Sequence, residues 1–254
     1  EVAPKPIADF VFSSGCLGTS TLFTDMSNAP TGTITSWSWY FDDPFNNLNT
    51  SDLQNPQYVF TQPGNYQVVL NIVDDNDCNS EIIKEVIIQP NPIAIYSVEE
   101  MSCANVPILF NDSSTSDNSI ISKWIYSFDD GSDDLIILAP NNPDIYHSYD
   151  NSGTYLSSLQ VFNENGCAGT LAYKYIQIHP NPIANFITSD EGYTPGIIQF
   201  TDSTTHEAGS YSVDWEWNFG DGNIGFDQNP IHSYVTTNES YIVSMIVTDQ
   251  NGCT

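Results

Sequence analysis

The chain has no arginine. Its cations are four lysines, Lys5, Lys84, Lys123 and Lys174, against 32 acidic residues, which leaves a net charge of −28. Binding to nucleic acid requires cations that displace counterions from phosphates, and no basic patch exists to do so. Direct association with anionic membrane surfaces is disfavoured on the same ground. No apolar run approaches the ~20 residues of a membrane helix, and Leu135 to Ala139 is among the longest, so membrane insertion is not expected. No C-x₂-C pair supports a zinc site, and no Gly-x-Ser-x-Gly elbow supports a serine hydrolase. Charged residues make up only 14%, below the roughly 25% of an average domain. Ser, Thr, Asn and Gln must therefore cover much of the surface, as in extracellular β-proteins. No secretory leader is read ahead of Glu1, which looks like a mature or trimmed start, so secretion is inferred from other features.

The clearest positive signal is internal repetition. Three segments open alike, as Lys5-Pro6-Ile7-Ala8-Asp9-Phe10, Asn91-Pro92-Ile93-Ala94-Ile95-Tyr96 and Asn181-Pro182-Ile183-Ala184-Asn185-Phe186. Each then carries an aromatic strand that runs into an acidic turn. The triplets are Trp37, Trp39 and Phe41, then Trp124, Tyr126 and Phe128, then Trp215, Trp217 and Phe219. Aromatics at i, i+2 and i+4 share one face of a strand, and that face is expected to be the core. Asp43, Asp130 and Asp221 follow at one repeat position and read as turn acceptors for backbone N–H groups. An Asn-Pro pair comes next in every copy (Asn55-Pro56, Asn142-Pro143 and Asn229-Pro230), and a β-rich strand later starts at Tyr66, Tyr155 or Tyr241. A cysteine follows 12 residues after each of these tyrosines. The spacing predicts three all-β domains, 1–90, 91–180 and 181–254, the last lacking its closing strand. Pro-x-Pro joints at 90–92 and 180–182 favour a stiff, extended linkage and hence an elongated rod.

The five cysteines suit an oxidising compartment. Pairing within each copy predicts Cys16 to Cys78 and Cys103 to Cys167, each closing about 60 residues and contributing roughly 4 kcal/mol. The partner of Cys253 would fall near Tyr193, which is not cysteine, so Cys253 is expected to be the odd one.

Candidate sites are few. His147-Ser148-Tyr149 and His232-Ser233-Tyr234 invite a triad reading, but copy one has Tyr58-Val59-Phe60 in that place, which favours a packing role. The adjacent carboxylates Asp42/Asp43 and Asp129/Asp130 point to opposite strand faces and do not flank one bond as a glycosidase pair must. No cofactor is expected. Calcium is the cation that the acidic clusters would suit, through Asp74, Asp75 and Asp77 or Asp129, Asp130, Asp133 and Asp134. Neither cluster follows the EF-hand spacing.

The run Trp217-Asn218-Phe219-Gly220-Asp221-Gly222, then Asn-Pro, His-x-Tyr and a closing Asn-Gly-Cys, resembles the PKD (polycystic kidney disease) domain. Copies one and two depart from it, with Asp42 and Pro44 in place of both glycines and with Asp129 in place of the first. The resemblance implies an immunoglobulin-like sandwich and a non-catalytic, extracellular structural or adhesive role as spacer, stalk or filament. The acidic tandem form with an early cysteine is similar to repeats of surface adhesins of gliding bacteria exported by type IX secretion. The implied partners are other chains or domains of a cell-surface assembly, or surface glycans. The competing readings are a carbohydrate- or calcium-dependent binding module and accessory domains of a larger secreted hydrolase.

Overall fold

The structure is a computed structural model describing residues 4–13, 15–190, 196–235 and 239–254. Tyr193 lies outside the described residues. The chain is all-β and built from one unit used three times.

The first module holds β1 (Phe10–Phe12), β2 (Gly15–Cys16), β3 (Ser20–Asp25), β4 (Ile34–Tyr40), β5 (Thr50–Ser51), β6 (Gln57–Val59), β7 (Gly64–Asp74) and β8 (Asn79–Gln89). One sheet has the order β1-β3-β6, and the facing sheet has the order β2-β8-β7-β4-β5. The second module repeats this with β9 (Tyr96–Ser97), β10 (Met101–Cys103), β11 (Ile108–Asp112), β12 (Ile121–Ser127), β13 (Leu135–Leu138), β14 (Ile145–His147), β15 (Gly153–Asn163) and β16 (Ala172–His179). Its sheets run β14-β11-β9 and β10-β16-β15-β12-β13. In the third module β17 (Phe186–Asp190), β18 (Ile197–Asp202) and β21 (Ile231–Ser233) form one sheet. β19 (Ser212–Asn218), β20 (Ile224–Gly225) and β22 (Ser244–Asp249) form the other.

The alternation that defines a strand also defines the core. Along β7, Tyr66, Val68, Leu70, Ile72 and Asp74 turn inward while their neighbours turn outward. Facing them, Trp39 packs its ring edge against Phe10 at 5.1 Å and against Phe23 at 5.6 Å. Trp39, Tyr126 and Trp217 are fully buried, and Phe41, Phe128 and Phe219 nearly so. The first aromatic of each triplet sits at the margin of that face. Trp37, Trp124 and Trp215 donate their indole N–H to Asp25, Asp112 and Asp202 at 2.7, 3.0 and 3.0 Å. All five tryptophans are thus held in core or core-margin packing rather than displayed as a stacking platform.

One short strand decides the rest. β2 lies parallel to β8 with Cys16 opposite Gln89, and β10 lies parallel to β16 with Cys103 opposite His179. The early cysteine is therefore at the exit end of the last strand. The late cysteine, Cys78, stands just before that strand begins at Asn79. β8 has 11 residues, so at ~3.3 Å per residue these two positions are more than about 30 Å apart. A disulfide needs Cα atoms within about 7 Å.

Candidate functional site

The expected pairings Cys16–Cys78 and Cys103–Cys167 do not form, because their members lie at opposite ends of one sandwich. Cys16 instead bonds Cys167, and Cys103 bonds Cys253, each with Cα atoms 5.5 Å apart. Each bridge joins the exit end of one module to the entry end of the next. Cys253, expected to be odd, is paired, and Cys78 is the free thiol.

The late cysteine is held by the same local construction three times. Asp74, Asn163 and Asp249 end the preceding strand. Their Oδ1 atoms accept the N–H of Asn76, Asn165 and Asn251 at 2.9, 3.1 and 2.8 Å. The same oxygens accept the N–H of Cys78, Cys167 and Cys253, at 2.9 Å in each case. The backbone N–H of Asp74, Asn163 and Asp249 returns a bond to the cysteine carbonyl at 3.0, 3.0 and 2.9 Å. The residue before each cysteine takes a left-handed conformation, Asp77 at φ 59°, Gly166 at 82° and Gly252 at 83°. Burial alone would push the Asp249 carboxyl upward. The hydrogen bonds from Cys253 N–H, Ser210 and Asn251 outweigh it and hold that group below the usual carboxylate range.

The joints carry a second set of contacts. The linker side chains Asn91 and Asn181 donate from Nδ2 to the carbonyls of Leu17 and Ala104, the residues directly after the early cysteines, at 3.0 and 3.1 Å. Asn163 Nδ2 donates to the Pro90 carbonyl at 3.3 Å, tying the second module's cysteine turn to the linker that enters it. Sequence reasoning missed Asn91, Asn163 and Asn181. Their signal was recurrence beside a proline or four residues before a cysteine.

The acidic positions resolve into turn chemistry. Asp43, fully buried, accepts the N–H of Phe45 and of Thr61, each at 3.1 Å. Asp130 and Asp221 accept the N–H of Ser132 and Asn223, each at 3.0 Å. Their second oxygens meet Nε2 of His147 at 2.7 Å and of His232 at 2.8 Å. These imidazoles lie flat on Phe128 and Phe219, with centroids 3.7 and 4.0 Å apart. Tyr58 does the same on Phe41 at 4.1 Å and reaches Asp43 with its hydroxyl at 3.3 Å. His and Tyr are thus alternatives for one packing position. Burial and the nearby Asp43 charge push the Tyr58 hydroxyl up to about 12. The hydrogen bond from His232 leads in lowering Asp221 to about 2.

Asp42 and Asp129 occupy left-handed positions at φ 57° and 62°, where the third module has Gly220 at 81°. Their carboxylates accept the N–H of Gln67 and Leu156 at 3.1 and 3.0 Å. At Gly220 a Cβ would sit 2.4 Å from the Ile242 carbonyl oxygen. Glycine thus lets that segment approach where the other modules insert a carboxylate. Asp75 accepts Asn76 Nδ2 at 3.0 Å, and Asp133 and Asp134 are exposed. Among the described residues, no three His, Cys, Asp or Glu side chains converge as a metal site would require. No helix among them is long and apolar enough to cross a membrane.

Among solved structures, the chain is similar to the PKD1 domain of Vibrio anguillarum Epp, with 22% identity and a TM-score of 0.31 over 34% of this chain and 96% of that one. It is similar to the PKD1 domain of the Vibrio cholerae metalloprotease PrtV, with 26% identity and a TM-score of 0.30 over 34% and 98%. It is also similar to fibronectin(III)-like modules of Clostridium thermocellum CbhA, with 12% identity and a TM-score of 0.41 over 69% and 94%. The PKD domain family profile matches residues 3–88, 89–178 and 179–254, nearly the whole length in three consecutive units, and the chain belongs to the PKD domain family.

Proposed function

We propose that the chain is a stiff, non-catalytic spacer or adhesive segment of a secreted cell-surface protein. Modules of this family are typically non-catalytic and extracellular. The observation that carries the reading is the double attachment of each joint. A Pro-x-Pro linker and a disulfide leave the same end of one module, at Gln89 and Cys16 or at His179 and Cys103. Two covalent ties close together on each face oppose bending and twisting more than one tie can. Stable disulfides also suit an oxidising exterior. A stalk of this kind needs no cleft of its own, and its partners are neighbouring chains or domains of a surface assembly, or surface glycans at a tip. The acidic tandem form is consistent with surface adhesins of gliding bacteria exported by type IX secretion.

Residual dipolar couplings test the stiffness. In the oxidised chain one alignment tensor should fit all three modules, and the C16S/C103S variant should require separate tensors. Independent alignment of the modules with both bridges intact refutes the spacer reading.

A further inference from the structure

We propose that Cys78 is the receiving half of a third bridge, made with the early-strand cysteine of another module of this kind seated on the first module's entry end. The first observation is the threefold identity of the turn. The N–H of Cys78, Cys167 and Cys253 donates to Oδ1 of Asp74, Asn163 and Asp249, and their carbonyls accept the N–H of the same three residues. Cys167 and Cys253 are each bonded to the early cysteine of the module before them.

The second observation is independent of the thiol. Asp74 is 1% exposed, and among the described residues its Oδ2 has no hydrogen-bond partner. A buried carboxylate oxygen without a donor is costly. In the sibling turns the corresponding atom is engaged. Asn163 Nδ2 reaches the Pro90 carbonyl, and Asp249 Oδ2 accepts Ser210 Oγ at 2.8 Å. The first module's turn therefore offers an acceptor as well as a thiol.

Exposure agrees. Cys167 and Cys253 are 1% and 0% exposed under their neighbours, while Cys78 is only partly buried. Pro4-Lys5-Pro6 also repeats the proline spacing of Pro90-Asn91-Pro92, the joint that follows a preceding module. Lys5 stands where Asn91 and Asn181 donate to a carbonyl, and its ammonium is a donor too.

The chemistry narrows the partner. Both early cysteines of this chain, Cys16 and Cys103, are already bonded. A second copy can therefore offer only its own Cys78. The partner is a module with a free cysteine on a short strand parallel to its last strand. Bond formation takes two protons and two electrons from the two thiols. A disulfide oxidant such as oxidised glutathione accepts them, and its S–S bond breaks into two reduced thiols.

The test places a second copy of residues 4–89, carrying Cys78→Ser, directly ahead of Pro4 in the full chain. The product is oxidised in glutathione buffer, alkylated, digested at its acidic residues and mapped without reduction. The expected map holds Cys16–Cys167, Cys103–Cys253 and a third pair joining the copied Cys16 to Cys78. Alkylation of Cys78 should fall roughly tenfold against a control whose copied Cys16 is serine. A Cys78 that stays alkylatable, a Cys78–Cys78 dimer, or any other partner for Cys78 overturns the proposal.

Discussion

Stretching the chain by its two ends separates the observed disulfide pattern from pairing within modules. Fully reduced, 254 residues at up to ~3.6 Å each extend to roughly 900 Å. With both bridges closed, the shortest covalent route crosses from Cys16 to Cys167, runs back along the backbone to Cys103 and crosses to Cys253. With the short tails it spans about 80 residues, or roughly 290 Å at full extension. The other two routes, Cys16 to Cys167 and on to Cys253, and Cys16 to Cys103 and across to Cys253, each span about 100 residues and stay slack. Pairing inside each module would leave about 130 residues in line, roughly 460 Å. Force spectroscopy on the oxidised chain should reach a final contour near roughly 290 Å, and reductant should lengthen it about threefold. A final contour near 460 Å in the oxidised state would refute the inter-module assignment.

Other outcomes follow from single positions. Gly220→Ala should destabilise the third module by about 2 kcal/mol, since it adds left-handed strain to a clash with Ile242; faster hydrogen exchange in β19 and β22 would report it. Asp249→Ala removes the acceptor of two backbone N–H groups and should cost about 2 kcal/mol, with a slower closure of Cys103–Cys253 in timed alkylation. The Asp221 carboxyl is depressed to about 2 in the folded state against ~3.9 unfolded. Its stabilising contribution is thus present above about pH 4 and is lost as pH falls through about 2. Its carboxyl carbon resonance should titrate near 2, and should move toward the ordinary value in His232→Gln; an unchanged midpoint would contradict the pairing. Cys103→Ser opens a closure of 150 residues and should lower stability by up to about 5 kcal/mol in the chain-entropy description, measured by denaturant unfolding.

Much of the fold was legible because it is local. Alternation in Tyr66–Val73 and the aromatic triplets mark strands and their inner face without tertiary knowledge. The equivalence of Tyr58 with His147 and His232 pointed to packing, and the stacked rings bear that out. Disulfide pairing was not legible. A repeat shows that cysteines are equivalent but not whether module n pairs with itself or with its successor. Both schemes leave one of five unpaired, Cys253 in one and Cys78 in the other. The deciding fact is that β2 lies beside the far end of β8, a long-range pairing that only two residues encode. Asp74, Asp75 and Asp77 looked like a cation cluster for a similar reason. Composition shows acidity, whereas two of these residues serve the cysteine turn through an acceptor oxygen and a left-handed backbone.

The staggered bridges also change what a single broken peptide bond does. A cut anywhere from Cys16 to Cys253 leaves two fragments that remain covalently joined, because one bridge or the other always spans it. Under pairing within modules, a cut between Cys78 and Cys103 would release everything beyond it. In the observed arrangement that stretch, including the linker, can be nicked without shedding either end. Separating the two ends of the bridged region takes three cuts, one each in 16–103, 103–167 and 167–253, so its loss at a protease-rich surface would depend on the cube of the nicking probability rather than on its first power.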